Sequence, residues 1–296
     1  MCTMKKKFQM IGFALSVLLV TLPVVTVGAD NAASGKQKKE KTTESALGVK
    51  PVTGSWINLA YKDVRNKYTN PQSFDNMDPK LWEAKVRELS AMGIEYLVFM
   101  EVANEGKSYY PSQIMPWWYN KDKKSPVDAI LDEAAKHNMK IFMSSGWAKD
   151  QDDNLLDPAI KERQLQIMEE LASLYKNHKA FYGWYLPVED CLCPIFAEHA
   201  VQSVNTLSEK AKKLTPGKKT LISPYGIGLS EFDNPEYEKQ MQKLKVDIIA
   251  YQDEVGCVRD QFTLPRLKKN WQRLRDIHNR LNIEMWANCE TFTWEE

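Results

Sequence analysis

Gly183-Trp184-Tyr185-Leu186-Pro187-Val188-Glu189-Asp190 and Ile283-Glu284-Met285-Trp286-Ala287-Asn288-Cys289-Glu290 are two aromatic-rich runs that each end on a carboxylate. Each reads as a buried strand, and strands covered on both faces are the habit of a parallel sheet. Counted along the chain, they are the fourth and seventh such strands, and a helical pattern fills nearly every interval between strands.

Working outward, residues 54–60 read as the first strand and residues 94–102 as the second, with a helix between them. Asp78-Pro79 caps and opens that helix, Trp82, Val86, Leu89 and Met92 recur at helical spacing, and Gly93 stops it. The unit repeats, with helices opening at Ser125-Pro126, Asp157-Pro158, Pro194 and Asn234-Pro235. Strands are expected at residues 139–147, 180–188, 221–225, 246–253 and 284–290. Leu264, Leu267, Trp271, Leu274, Ile277 and Leu281 line one face of the last helix. Seven strands and six helices in βα order imply an α/β fold of the TIM (β/α)8 barrel type. Eight strands close such a barrel and seven are legible, so the expectation is a C-terminally truncated barrel whose first and seventh strands flank a gap. An open doubly wound sheet fits less well, because no glycine-rich phosphate loop follows the first strand.

Lys5, Lys6 and Lys7, the apolar residues 11–25 and the small residues Val27-Gly28-Ala29 read as a signal peptide over residues 1–29. Cys2 precedes the apolar run, so a lipoprotein anchor is not indicated. The expectation is a secreted or periplasmic protein with no stable membrane anchor after signal cleavage. Residues 30–50, rich in Lys, Glu, Ser and Thr, read as a flexible linker, and residues 51–296 as the barrel.

Of 40 basic and 39 acidic residues, cleavage removes three lysines, leaving 37 and 39 and a net charge of −2. No basic stripe suggests nucleic acid. Nine tryptophans and twelve tyrosines exceed what a core requires and suit sugar platforms. Cys191, Cys193, Cys257 and Cys289 survive cleavage, and a disulfide from Cys257 to Cys191 or Cys193 is an open expectation.

Barrel active sites assemble at strand C-terminal ends. The polar and aromatic residues there are Asn58 and Tyr61, Glu101, Trp147, Tyr185 with Glu189 and Asp190, Tyr225, Gln252 with Asp253, and Trp286 with Asn288 and Glu290. Acids and aromatics dominate, which points to a carbohydrate substrate. Glu189 shares a strand face with Tyr185, and Glu290 shares one with Trp286 and Asn288. Two carboxylates facing each other across the mouth are the working parts of a glycosidase, retaining at a separation of ~5 Å and inverting at ~6.5 to 9.5 Å. The expected catalytic pair is therefore Glu189 and Glu290, with the remaining strand-end residues binding substrate. Glu105, Glu231 and Glu254 lie in loops and read as solvated charge. Trp117-Trp118-Tyr119, in the loop after the second strand, reads as a cleft wall. His137, His178, His199 and His278 fall on the outer helices and read as structural, and no GxSxG elbow is present. Neither a metal nor a cofactor is expected.

Tyr185-Leu186-Pro187-Val188-Glu189, Ile249-Ala250-Tyr251-Gln252-Asp253-Glu254-Val255-Gly256 and Trp286-Ala287-Asn288-Cys289-Glu290-Thr291-Phe292 resemble bacterial domain-of-unknown-function family 4434, secreted TIM-barrel proteins similar to clan-A glycoside hydrolases. The resemblance runs from about Gly54 to the end. It implies an acid/base at the end of strand four and a nucleophile at the end of strand seven, positions that Glu189 and Glu290 match. Where clan A usually has Asn before the acid/base, this chain has Val188. The leading expectation is a retaining glycoside hydrolase acting on a poly- or oligosaccharide. The alternative is a carbohydrate-binding barrel without catalysis, while a lyase or esterase lacks its nucleophile or metal motif.

Overall fold

A computed structural model describes residues 51–59, 77–149, 153–192, 194–256 and 263–291. The sequence-predicted signal peptide and linker, together with Tyr61, Cys193 and Cys257, lie outside the described residues. Seven strands form one sheet: β1 (Gly54–Ile57), β2 (Tyr96–Phe99), β5 (Lys140–Ser144), β6 (Phe181–Tyr185), β7 (Lys219–Ile222), β8 (Ile248–Gln252) and β9 (Glu284–Asn288). All neighbouring pairs are parallel. Six helices alternate with them: α1 (Pro79–Ala91), α2 (Pro126–Lys136), α3 (Pro158–Tyr175), α4 (Glu198–Leu214), α5 (Pro235–Lys243) and α6 (Leu264–Leu281). A two-residue hairpin, β3 (Ala103–Asn104) with β4 (Lys107–Ser108), sits in the loop after β2.

Aromatic contacts show that the sheet is curled. Trp286 on β9 lies 5.1 Å from Tyr96 on β2 and 5.6 Å from Phe142 on β5, centroid to centroid. In a flat sheet, five strand spacings of ~4.8 Å would separate β2 and β9 by ~24 Å. Trp56 on β1 likewise meets Tyr185, three strands away, at 6.3 Å. The strand order nonetheless runs from β1 to β9 without a ladder joining the two ends among the described residues. The sheet is thus a barrel wall open between its first and last strands.

Side chains divide by parity into two cores. Val98, Met100, Phe142, Tyr185, Leu221, Ile248 and Ala250 fill the bore, with Trp56, Tyr96 and Trp286 packed on them. Ile57, Leu97, Phe99, Ile141, Trp184, Ile222, Ile249 and Tyr251 face the helices. Gly183 sits where the β5–β6 register shifts. A Cβ there would come within 2.6 Å of the Lys219 carbonyl and 2.7 Å of the Phe142 ring, so only glycine lets Phe142 cross the strand.

Five helices begin as their cap residues dictate. The side chains of Asp78, Ser125, Asp157, Asn234 and Thr263 each accept a backbone N–H of the first turn, with proline just inside. The helix expected from Pro194 starts instead at Glu198. The Pro194 carbonyl accepts Glu231 N–H at 2.8 Å, and the Phe196 carbonyl accepts Gln240 Nε2 at 2.7 Å while its ring stacks on Tyr237. Those bonds hold residues 194–197 across α5 and delay the helix.

Candidate active site

The mouth of the barrel is built by the C-terminal ends of β6, β7, β8 and β9, four adjacent strands. Glu189 and Asp190 follow β6, Tyr225 follows β7, Asp253 and Glu254 follow β8, and Glu290 follows β9.

Glu189 stands directly over the bore. The hydroxyl of Tyr185, four residues earlier, donates to its Oε1 at 2.7 Å. Tyr185 is fully buried, and burial together with Glu189 raises its phenol well above the ordinary range. It therefore acts on Glu189 from below and does not present a sugar-facing surface. Trp147, also buried, donates Nε1 to the Pro187 carbonyl at 3.4 Å and supports the same turn.

Glu290 is held by its main chain and its side chain at once. Its N–H donates to Asp253 Oδ1 at 3.0 Å, and its Oε2 accepts Gly256 N–H at 2.8 Å. Asp253 also accepts Val255 N–H and donates its own N–H to the Asn288 carbonyl. Asp253 is thus a cap for the turn that grips Glu290. Gln252 Nε2 donates to the Ser223 carbonyl and Asn288 Nδ2 to Ser223 Oγ, so both tie the ends of β7, β8 and β9 together. Trp286, one pleat below Asn288, belongs to the aromatic floor and donates Nε1 to Glu284.

Electrostatics link these strand ends. Burial raises the Tyr225 phenol to about 12, helped by Cys191, Asp190, Glu254 and Glu189. Its side chain is 38% exposed, which leaves a ring available at the mouth. Asp190 is raised by burial, opposed by Cys191 N–H and by His199, whose Nε2 lies 3.4 Å from Oδ2. Glu254, read from sequence as a solvated loop charge, is half-buried. Burial pushes its carboxyl up to about 7, opposed by the N–H groups of Gly226 and Ile227 and reinforced by Glu290 and Asp253. It is the one loop acid that the sequence reading underrated. Its left-handed backbone, φ 53°, turns it inward, a conformation that no spacing rule announces.

The other expected residues are dispersed. Asn58, after β1, keeps a buried Oδ1 that meets no hydrogen-bond donor among the described residues. Glu101 is completely buried after β2 and acts electrostatically on Tyr109 and Tyr185. Trp117 and Trp118 are tied into their own loop. Trp117 stacks on Tyr119 and Trp118 on Tyr109, and their indole N–H groups bind the Ser112 and Asn104 carbonyls. Those rings build the loop itself. Among the described residues, no cluster of three or more His, Cys, Asp or Glu is placed to hold a metal ion.

A family model described as a domain of unknown function, DUF4434, matches residues 52–296. The chain belongs to the DUF4434 family. Beyond this DUF4434 match, the chain is 25% identical over 196 residues to the glycosyl hydrolase DigH of Escherichia coli strain K12, and equally to that of Shigella flexneri. The alignment covers 60% of this chain and 43% of each relative, so the chain spans less than half the length of the curated relatives it matches. The DUF4434 chain also superimposes on the crystal structure of a candidate α-L-fucosidase from Bacteroides thetaiotaomicron. The TM-score is 0.62 at 18% identity, covering 88% of this chain and 79% of the other. That likeness establishes a shared fold, a β/α barrel.

Proposed function

We propose that this protein is a retaining glycoside hydrolase acting on a poly- or oligosaccharide outside the cytoplasm. Glu290 is the nucleophile and Glu189 the acid/base, and the signal-like residues 1–29 direct export. The observation that carries this reading is the gathering of acids from three strand ends, those of β6, β8 and β9, around the half-exposed tyrosine that follows β7. Tyr225 feels both Glu189 and Glu254, and Glu254 feels Glu290. The resemblance to relatives named glycosyl hydrolases supports it further.

In this reading the Glu290 carboxylate attacks the anomeric carbon while Glu189 gives its proton to the departing oxygen. Water, deprotonated by Glu189, then releases the sugar from Glu290. Gly256 N–H fixes the rotation of Glu290, and the Tyr185 hydroxyl fixes that of Glu189, which limits the reorganisation either must undergo. Tyr225 offers a flat apolar face for the sugar ring beside them.

Azide rescue tests the assignment. On an activated aryl glycoside, Glu189→Ala should slow mainly the release of the sugar, and azide should restore the rate by replacing the water that Glu189 activates. A Glu189→Ala variant with wild-type kinetics would refute the role. Binding of glycans without any hydrolysis would favour a carbohydrate-binding barrel.

A further inference from the structure

The turn after β8 binds two rims of the mouth at once. Its main chain grips β9, since Gly256 N–H holds Glu290 Oε2 and Asp253 Oδ1 holds Glu290 N–H. Its Glu254 side chain grips the loop after β7, since Gly226 N–H donates to Glu254 Oε2 at 2.7 Å. Glu254 reaches there from a left-handed backbone, φ 53°, at a cost of about 1–2 kcal/mol for a residue with a Cβ. Gly226, the donor, itself has φ 90°. Two adjacent loops thus adopt conformations that ordinary side chains avoid, and this carboxyl on this N–H is one of the contacts that join them.

We infer that Glu254 is a positioning residue of the site, tying the rim that carries Glu290 to the rim that carries Tyr225 and setting the charge that Glu290 faces. The inference rests on the proposed function only for what Glu290 does. The groups facing Glu254 are Glu290 after β9, Asp253 in its own turn with Cys289 beside it, and Tyr225 after β7. Glu189, Asp190 and Cys191 lie beyond Tyr225, with His199 on Asp190. Apart from that histidine, the set is anionic or neutral. With its carboxyl pushed up to about 7, Glu254 is a neutral acid in mildly acidic solution and an anion in alkaline solution. Below neutrality Glu290 therefore stands beside a neutral neighbour. Above it, a second negative charge stands next to Glu290 and disfavours further anionic character at the mouth.

Side-chain carboxyl 13C NMR of the full chain between about pH 4 and 9 tests this directly. One glutamate should titrate near neutrality and vanish in Glu254→Gln. The Glu290 resonance, assigned with Glu290→Gln, should move in step with it in the wild type and lose that movement in Glu254→Gln. The absence of any carboxyl titrating above pH ~5.5 would overturn the inference. So would a Glu290 resonance indifferent to Glu254. If Glu254→Gln does not fold, the wild-type curve decides alone, because a Glu290 resonance with no inflection near neutrality is contradictory. A chain that shows the coupling yet hydrolyses no glycan would refute the proposed function and leave the role of Glu254 intact.

Discussion

Tyr185 and Glu189 lie on one face of the barrel wall, and the tyrosine hydroxyl donates to the glutamate across 2.7 Å from a fully buried ring. Tyr185→Phe preserves the packing against Trp56 and deletes only the donor. Stability should fall by about 1 kcal/mol, the net worth of one such hydrogen bond. Turnover on a hydrolysed glycan should fall by about 10-fold or more, with KM little changed, because Glu189 loses its orientation and not its contact with substrate. Urea unfolding and steady-state kinetics of the same sample read both effects.

Gly183 is the tightest point of the wall. Gly183→Ala drives a methyl group against the Lys219 carbonyl and the Phe142 ring, and overpacking of this kind costs about 1–3 kcal/mol. Thermal unfolding should show a lower midpoint, and Gly183→Ala combined with Phe142→Leu should recover part of it.

Two titrating groups give stability opposite slopes with pH. His278 is buried; its Nδ1–H donates to the Ile283 carbonyl, so its Nε2 accepts from the Tyr251 hydroxyl, which in turn accepts from Tyr237. Burial lowers this imidazole below its ordinary 6.5. Its contribution is therefore complete above 6.5 and is lost as pH falls below it. Glu254 is raised from 4.5 to about 7, so the folded state holds a proton that the unfolded chain releases. Its contribution is complete below 4.5 and is lost as pH rises toward 7. Urea midpoints across this range should lose their acid-side slope in His278→Gln, and Glu254→Gln should be favoured over wild type more at pH 8 than at pH 5.

The wall of the barrel was legible because its signals are local. Aspartate-proline and asparagine-proline pairs cap helices by their own side chains, and β6 and β9 are apolar runs that need no partner to be recognised. Glu189 and Glu290 were legible as strand ends for the same reason. Glu254 was not, because its burial comes from a left-handed turn and from the Gly226 N–H of another loop. The start of α4 at Glu198 was displaced by carbonyls of Pro194 and Phe196 that bond to residues about 40 positions away in the chain. The stacking of Trp117 on Tyr119 and of Trp118 on Tyr109 was not legible for a related reason: those rings belong to a loop whose hairpin, β3 with β4, leaves no periodic trace.

The most direct test of the account is reducing-end release from a panel of poly- and oligosaccharides by the wild-type chain, Glu290→Ala and Glu189→Ala at equal concentration, each verified as folded. The account predicts release from at least one glycan by the wild type, and a fall of about 10^3-fold or more in Glu290→Ala and about 10^2-fold or more in Glu189→Ala. Release by Glu290→Ala at the wild-type rate, or glycan binding by the wild type with no release at all, would contradict it.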